Sequence, residues 1–72
     1  MKANIYLTRI AELPCEISSV TDYSVAFKLQ PSIATADTLQ ILYMMNASIY
    51  VYNDYISVTV KRENVDNIIF VD

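Results

Sequence analysis

Glycine is absent from this chain of 72 residues. Phosphate-binding loops of the P-loop and GxGxxG types need glycine, because a Cβ atom would block the close approach of the backbone to the phosphate. The sequence therefore excludes these nucleotide-binding motifs. Turns that require positive φ must use Asn or Asp instead, since these residues tolerate the left-handed conformation better than most others.

Histidine is also absent, and Cys15 is the one cysteine. Histidine is the commonest general base and the commonest neutral metal ligand, so both kinds of site lose their usual residue. One cysteine can form neither an intrachain disulfide nor a cysteine-rich zinc site. We therefore expect a protein that is not an enzyme and binds no cofactor or metal. Cys15 is expected to be a small core residue.

Basic residues are few: five Lys and Arg stand against eight Asp and Glu, for a net charge of −3. Phosphate contacts dominate nucleic-acid affinity, and this chain lacks the basic patch that they require. Direct DNA or RNA binding is not expected. The acidic residues are dispersed rather than clustered, which does not favour an acidic mimic of DNA either.

Apolar residues make up 54% of the chain, above the usual ~45–50%. The longest apolar run, residues 41–45, is far shorter than the ~20 residues that cross a bilayer, and no signal-peptide pattern is present. We expect a single compact domain over residues 1–72, without a membrane segment and located in the cytoplasm (the host cytoplasm if the protein is viral). The apolar excess favours a full core or an interface.

Alternation of apolar and polar residues predicts strands over residues 3–10, 15–18 and 23–29. Pro14 has no amide donor, so it predicts a bend or a strand edge at residues 12–14. Turn-forming residues at 19–22 separate the second and third predicted strands.

The period then changes, and residues 38–46 are predicted to form a short helix. Asp37 and Gln40 have the spacing of a capping box, with Thr35 as an alternative N-cap. Asn46 can take the left-handed conformation in place of glycine, so it is the predicted terminator.

The predicted helix is apolar on more than one side. Leu39, Leu42 and Met45 form a stripe at helical spacing that is suited to the core. Tyr43 and Met44 point elsewhere, whereas an ordinary surface helix has a polar face there. Either the helix is covered on both sides, or Tyr43 and Met44 contact a partner.

Residues 47–60 predict a β-hairpin with Asn53-Asp54 as a two-residue turn, or with a four-residue loop from Tyr52 to Tyr55. The register that keeps the faces separate pairs Tyr52 with Tyr55, Val51 with Ile56, Tyr50 with Ser57, Ile49 with Val58 and Ser48 with Thr59. Aliphatic pairs form the side expected to be buried. Tyr50, Tyr52 and Tyr55 lie on the outward side.

The remaining sequence predicts a polar break at residues 61–64, a turn or 3₁₀ turn at 65–67, and a last strand at 68–71. A continuous apolar run is typical of a central or doubly covered strand. The order βββ–α–ββ–β indicates an α+β fold, a mostly antiparallel sheet with one short helix. The alternative is an open barrel of SH3-like type, which the polar turn before a final strand resembles in layout.

The partner-binding residues predicted from these patterns are Tyr50, Tyr52, Tyr55, Tyr43 and Met44. Tyrosine offers a large contact area with little rotamer entropy to lose, and it is enriched at binding hot spots. Cross-strand packing of the tyrosines within the hairpin is the structural alternative.

The sequence thus favours a non-enzymatic protein–protein interaction protein. Small size and acidity suit a phage or mobile-element inhibitor of anti-CRISPR-like type that binds a host protein complex. The alternatives are a structural or assembly subunit that forms a homodimer, and a small-ligand-binding domain with its pocket between helix and sheet.

Overall fold

A six-stranded antiparallel sheet with one short helix forms the protein in the computed structural model, which describes residues 1–71. The elements are β1 (Lys2–Leu7), β2 (Ile10–Val20), β3 (Ser24–Leu29), α1 (Ala36–Met44), β4 (Ser48–Val51), β5 (Ile56–Lys61), a 3₁₀ turn (Arg62–Asn64) and β6 (Val65–Phe70). The predicted α+β fold and the order βββ–α–ββ–β are confirmed.

The strands lie in the order β4–β5–β3–β2–β1–β6. Arg62–Asn64 alone link β5 to β6, although three strands lie between them. Four strand spacings across a flat sheet would measure about 19 Å, whereas the link from Lys61 to Val65 reaches about 14 Å when extended. The sheet must therefore curl strongly to bring the ends of β5 and β6 together.

Backbone hydrogen bonds fix this link across the end of the sheet. The amide of Arg62 donates to the carbonyl of Tyr23 at 2.8 Å, and the amide of Thr8 donates to the carbonyl of Asn64 at 2.9 Å. The sheet is nevertheless not closed into a barrel, because β4 and β6 are its two edges. The α+β description therefore fits better than the SH3-like alternative.

The core lies between the inner face of the curled sheet and α1. Its centre consists of Ile5, Val25, Phe27, Leu29 and Val58 from the strands and Leu42 from the helix, all fully buried. These strand residues face one another because the register pairs Phe27 with Val58 and Leu29 with Ile56. Truncation of Phe27 to Ala at this site would cost about 3–5 kcal/mol.

The bend or strand edge predicted at residues 12–14 takes the form of a β-bulge at Glu12, whereas Pro14 itself does not interrupt the pairing of β2 with β1. β2 runs through Pro14, which lies opposite Asn4. Met1 and Ile17 exchange backbone hydrogen bonds, so by antiparallel alternation Asn4 and Pro14 form a pair without hydrogen bonds. The nitrogen of Pro14 thus points away from β1, toward β3, which has already ended at Leu29.

The irregularity of β2 lies at Glu12, the first residue of the predicted range. Between the Ile5–Leu13 and Leu7–Ile10 pairs, two residues of β2 oppose one residue of β1, which is a β-bulge. Glu12 takes φ of 57° there. The bulge allows β2 to begin at Ile10, directly after a two-residue turn.

The helix begins at Ala36 and is capped by Thr35, the alternative N-cap, so the predicted Asp37–Gln40 capping box was wrong. The hydroxyl of Thr35 accepts a hydrogen bond from the amide of Thr38 at 3.3 Å. Asp37 lies inside the first turn, where its negative charge interacts favourably with the positive end of the helix dipole. Asn46 has φ of 61°, which confirms it as the left-handed residue that ends the helix.

The last strand is an edge strand and not a central one, which corrects the prediction. β6 pairs with β1 alone, and its side chains Ile69 and Phe70 are exposed. It also begins at Val65, because the 3₁₀ turn lies at residues 62–64 and not at 65–67. An apolar run is compatible with either position, so the sequence alone did not fix the strand order.

Candidate functional site

The hairpin of β4 and β5 has the predicted register. Ser48 lies opposite Thr59, Ile49 opposite Val58, Tyr50 opposite Ser57 and Val51 opposite Ile56. The amide of Tyr52 donates to the carbonyl of Tyr55 at 2.9 Å. In residues 1–71, positive φ occurs at Glu12 and Asn46 alone, so the Asn53-Asp54 turn forms without the left-handed conformation expected for it.

The three predicted hairpin tyrosines lie together on the outer face of the sheet. Tyr50 is 63% exposed and Tyr52 is 52% exposed, whereas Tyr55 is half-buried. The rings of Tyr52 and Tyr55 stack with their centroids 4.9 Å apart and their planes at 27°. The hairpin register brings them together, because these two residues flank the turn.

Lys28 joins the tyrosines from the neighbouring strand. Its ammonium lies 4.8 Å from the centroid of the Tyr55 ring, a cation–π contact. Lys28 reaches this position because β3 pairs with β5 and places it opposite Ser57. No local pattern in the sequence reveals this contact, because it depends on the pairing of β3 with β5. We call Tyr50, Tyr52, Tyr55 and Lys28 the tyrosine patch.

A groove of about 480 Å³ continues from the tyrosine patch across β3, β2 and β1. Charged residues of both signs line it, because the register sets Lys28 opposite Glu16 and Glu16 opposite Lys2. Asp54 closes the hairpin end of the groove, and Val71 lies at the other end. Its lining residues come from strands and loops, not from α1.

The space between helix and sheet is filled by core side chains. Leu42 and Met45 are buried there in the same cluster as Val58 and Phe27. A small-ligand pocket was one alternative for this location, and the groove described above lies elsewhere.

Tyr43 and Met44 are exposed, at 76% and 56%, but they do not belong to the tyrosine patch. Met44 lines a second depression of about 290 Å³, to which Lys61 and Thr8 also contribute. Lys61 and Tyr55 lie six residues apart along β5, or about 20 Å in an extended strand. The structure therefore places the five predicted partner-binding residues on two separate surfaces.

The aliphatic side of β4 is only partly buried. Val51 is 73% exposed, although its pairing with Ile56 suggested burial, and Ile49 is half-buried. β4 is an edge strand, so core side chains cover Val51 from one side at most. The tip of β4 consequently exposes apolar side chains on both faces.

Cys15 packs against the core and is half-buried. Burial raises the pKa of its thiol to about 11, so the thiol is protonated at neutral pH and is a poor nucleophile. Within residues 1–71, no group of three or more His, Cys, Asp or Glu side chains is arranged to bind a metal ion. Over the same residues, no helix has the length and apolar character to cross a membrane.

Comparison of the chain with protein-family models, with curated proteins and with solved structures gives no match.

Proposed function

We propose that this protein is a non-enzymatic protein-binding protein whose contact surface is the tyrosine patch. The observation that carries the proposal is the pair of exposed tyrosines, Tyr50 and Tyr52, which are held by the paired strands β4 and β5. Tyrosine is enriched at binding hot spots. The same rings could serve only to hold the hairpin together, and the experiment below separates the two roles.

Preorganisation supports a binding role for Tyr52. Its ring rests on Tyr55, and the ring of Tyr55 is in turn covered by the ammonium of Lys28. A side chain that is already ordered loses little rotamer entropy when a partner binds, a saving of about 0.5–1.5 kcal/mol for each such side chain. Tyr55 is half-buried and is a positioning residue, whereas Tyr50 and Tyr52 offer free surfaces.

The groove beside the patch defines the chemistry of the partner surface. An apolar centre would meet Tyr50 and Tyr52, and polar groups of both signs would face Lys28, Glu16 and Lys2 at the rim. This arrangement follows the usual anatomy of protein interfaces, an apolar centre with a polar rim. Nucleic acid is a poorer fit, because Glu16 lies between the two lysines and weakens any phosphate contact.

The narrower hypotheses from the sequence remain proposals. An inhibitor of phage or mobile-element origin, acting in the host cytoplasm on a protein complex, is compatible with a small domain that carries one exposed aromatic patch. No residue in the patch is specific to that class of protein.

The test is a quantitative pull-down with purified chain against lysate, comparing the parent with the double variant Tyr50→Ala/Tyr52→Ala. The double variant Tyr23→Ala/Tyr43→Ala is the matched control, because it removes two tyrosines outside the patch that are even more exposed, at 85% and 76%. We expect the control to capture the same partners as the parent. The patch variant should capture at least tenfold less of them. Circular dichroism would confirm that each variant is folded. Retention of the same partners by a folded patch variant would show that the tyrosines are structural.

A further inference from the structure

The two edge strands, β6 and β4, differ in whether their unpaired backbone groups are protected from pairing with another chain. On β6, Val71 donates to the carbonyl of Lys2, so by antiparallel alternation the backbone groups of Ile68 and Phe70 point away from β1. The amide of Ile68 is already bound by the side-chain oxygen of Asn67 at 2.9 Å. Asp66 adds a charge to the same strand. Both features are protections that edge strands use against pairing with another chain.

β4 has neither protection. Tyr52 bonds to Tyr55 across the hairpin, so by the same alternation the backbone groups of Ile49 and Val51 point away from β5. No charged residue, proline or glycine occurs in residues 47–52. Exposed apolar side chains lie on both faces of the strand, Tyr50 on one and Val51 on the other.

We propose that β4 pairs with β4 of a second copy of this chain, antiparallel, with Tyr50 opposite Tyr50 of the second copy. In this register Ile49 faces Val51 of the second copy, and Val51 faces Ile49. Both outward-pointing residues of β4 then gain hydrogen-bonded partners, four bonds in all by antiparallel geometry. Registers shifted toward Ala47 are poorer, because the amide of Ala47 is already bound to the carbonyl of Leu42.

Charge favours a second copy as the occupant. The whole chain carries a net charge of −3, which opposes association of two copies over most of the surface. The β4 edge is uncharged, so two copies can meet there without a like-charge contact. The strand is also self-complementary, with tyrosine beside tyrosine on one face and isoleucine beside valine on the other.

The expected dimer is weak and depends on concentration. Two half-exposed tyrosines and Val51 supply on the order of 300–400 Å² per chain, less than the ~800 Å² per partner of a standard stable interface. Such a dimer would extend the sheet across two copies and set two tyrosine patches side by side. The inference goes beyond the proposed function, since it needs no other partner.

Sedimentation velocity of the purified chain over a concentration series, from about 1 μM to 1 mM, tests the dimer. Val51→Pro removes one outward amide and leaves the bonds to β5 intact. Phe70→Pro is the matched control, because Phe70 occupies the equivalent outward position on β6. We expect the parent and Phe70→Pro to dimerise with rising concentration and Val51→Pro to remain monomeric. A monomeric parent at the highest concentration, or a Val51→Pro variant that dimerises like the parent, would overturn the proposal.

Cross-linking tests the register and leaves Ile49 and Val51, whose backbone groups point away from β5, unchanged. In a Cys15→Ser background, Tyr50→Cys would place two thiols opposite each other, with Cα atoms about 4.5 Å apart, within the range of a disulfide. Tyr52→Cys is the control, because its two copies would lie about 13 Å apart. We expect oxidation to convert the Tyr50→Cys variant to a covalent dimer at least tenfold faster than the Tyr52→Cys variant. Equal or faster cross-linking of Tyr52→Cys would contradict this register.

Discussion

The ammonium of Lys28 lies 4.8 Å from the ring centroid of Tyr55, and that ring stacks on Tyr52 at 4.9 Å. Three side chains, one from β3 and two from the end of the β4–β5 hairpin, thus contact one another in series on the outer face of the sheet. Their order explains how an exposed tyrosine is held in place.

Lys28→Met is expected to loosen this series of contacts. The substitution keeps an unbranched apolar stem and removes the charge over the Tyr55 ring, so we expect a loss of about 0.5–1 kcal/mol in the free energy of unfolding. Urea denaturation would measure it. Lys2→Met is the control, since Lys2 lies two strands away in the same row. Equal losses in both variants would show that the contact with Tyr55 contributes nothing specific.

Glu12→Gly is expected to stabilise the fold. Glu12 takes φ of 57° at the bulge of β2, a conformation that costs a residue with a Cβ about 1–2 kcal/mol. Glycine avoids that cost but loses more backbone entropy on folding, so we expect a net gain of up to about 1 kcal/mol.

Glu16→Gly provides the opposite control, because Glu16 lies in a regular part of β2 opposite Lys2. Glycine there should destabilise the strand by about 0.5–1 kcal/mol. Thermal unfolding of both variants would check the pair. A lower melting temperature for Glu12→Gly would contradict the role of the bulge.

Thr35→Ala is expected to weaken the helix by about 1 kcal/mol, because the Thr35 hydroxyl accepts from the amide of Thr38. Asp37→Ala should cost less, since Asp37 contributes through the helix dipole and not as the cap. The free energies of unfolding from denaturant titrations rank the two variants. A larger loss for Asp37→Ala than for Thr35→Ala would support the Asp37–Gln40 capping box and contradict the role of Thr35 as the cap.

Cys15 predicts a loss of stability at alkaline pH. Burial raises the pKa of its thiol from 9.0 to about 11, so the folded state holds the proton more tightly than the unfolded chain does. Its contribution to stability is fully present below pH 9 and is lost as the pH rises toward 11.

The difference in unfolding free energy between the parent and Cys15→Ala isolates this effect, because the other titrating groups are common to both. We expect that difference to shrink between pH 9 and pH 11. A difference that stays constant over this interval would show that the thiol is not shielded from water in the folded state.

Local patterns in the sequence predicted the local features of the fold. The hairpin register follows from the alternation of tyrosine and aliphatic residues, since a shift by one residue would mix the faces. Asn46 ends the helix as expected, because few residues other than glycine tolerate its φ. The element order was also predicted correctly, because each strand and the helix have their own local periodicity of apolar residues.

Features that depend on strand order could not be predicted. Pro14 fits inside β2 because β3 ends before reaching its nitrogen, which a proline in isolation does not reveal. The edge position of β6 depends on its pairing with β1, a partner more than sixty residues away in the register Ala3–Phe70. No local pattern encodes such a distant pairing.

The candidate site was predicted in part. Tyr50, Tyr52 and Tyr55 were placed on one outward face from parity alone. The exposure of Val51 was missed because pairing with an aliphatic residue does not ensure burial at the edge of a sheet. Tyr43 and Met44 are exposed as an unmatched helix face suggested, but the geometry of the curled sheet separates them from the tyrosine patch.

The pairing of β1 with β6 has a consequence for the order of folding. The β4–β5 hairpin can form from neighbouring residues, whereas the Ala3–Phe70 pair closes a loop of nearly the whole chain, at an entropic cost that rises with loop length. Topologies rich in such distant contacts fold in milliseconds to seconds. β6 is therefore expected to dock late, and until it does the outer edge of β1 is open to pairing with another chain. Before β6 docks, β1 therefore presents an unpaired strand edge, which is the feature that makes a chain prone to pair with other copies during folding.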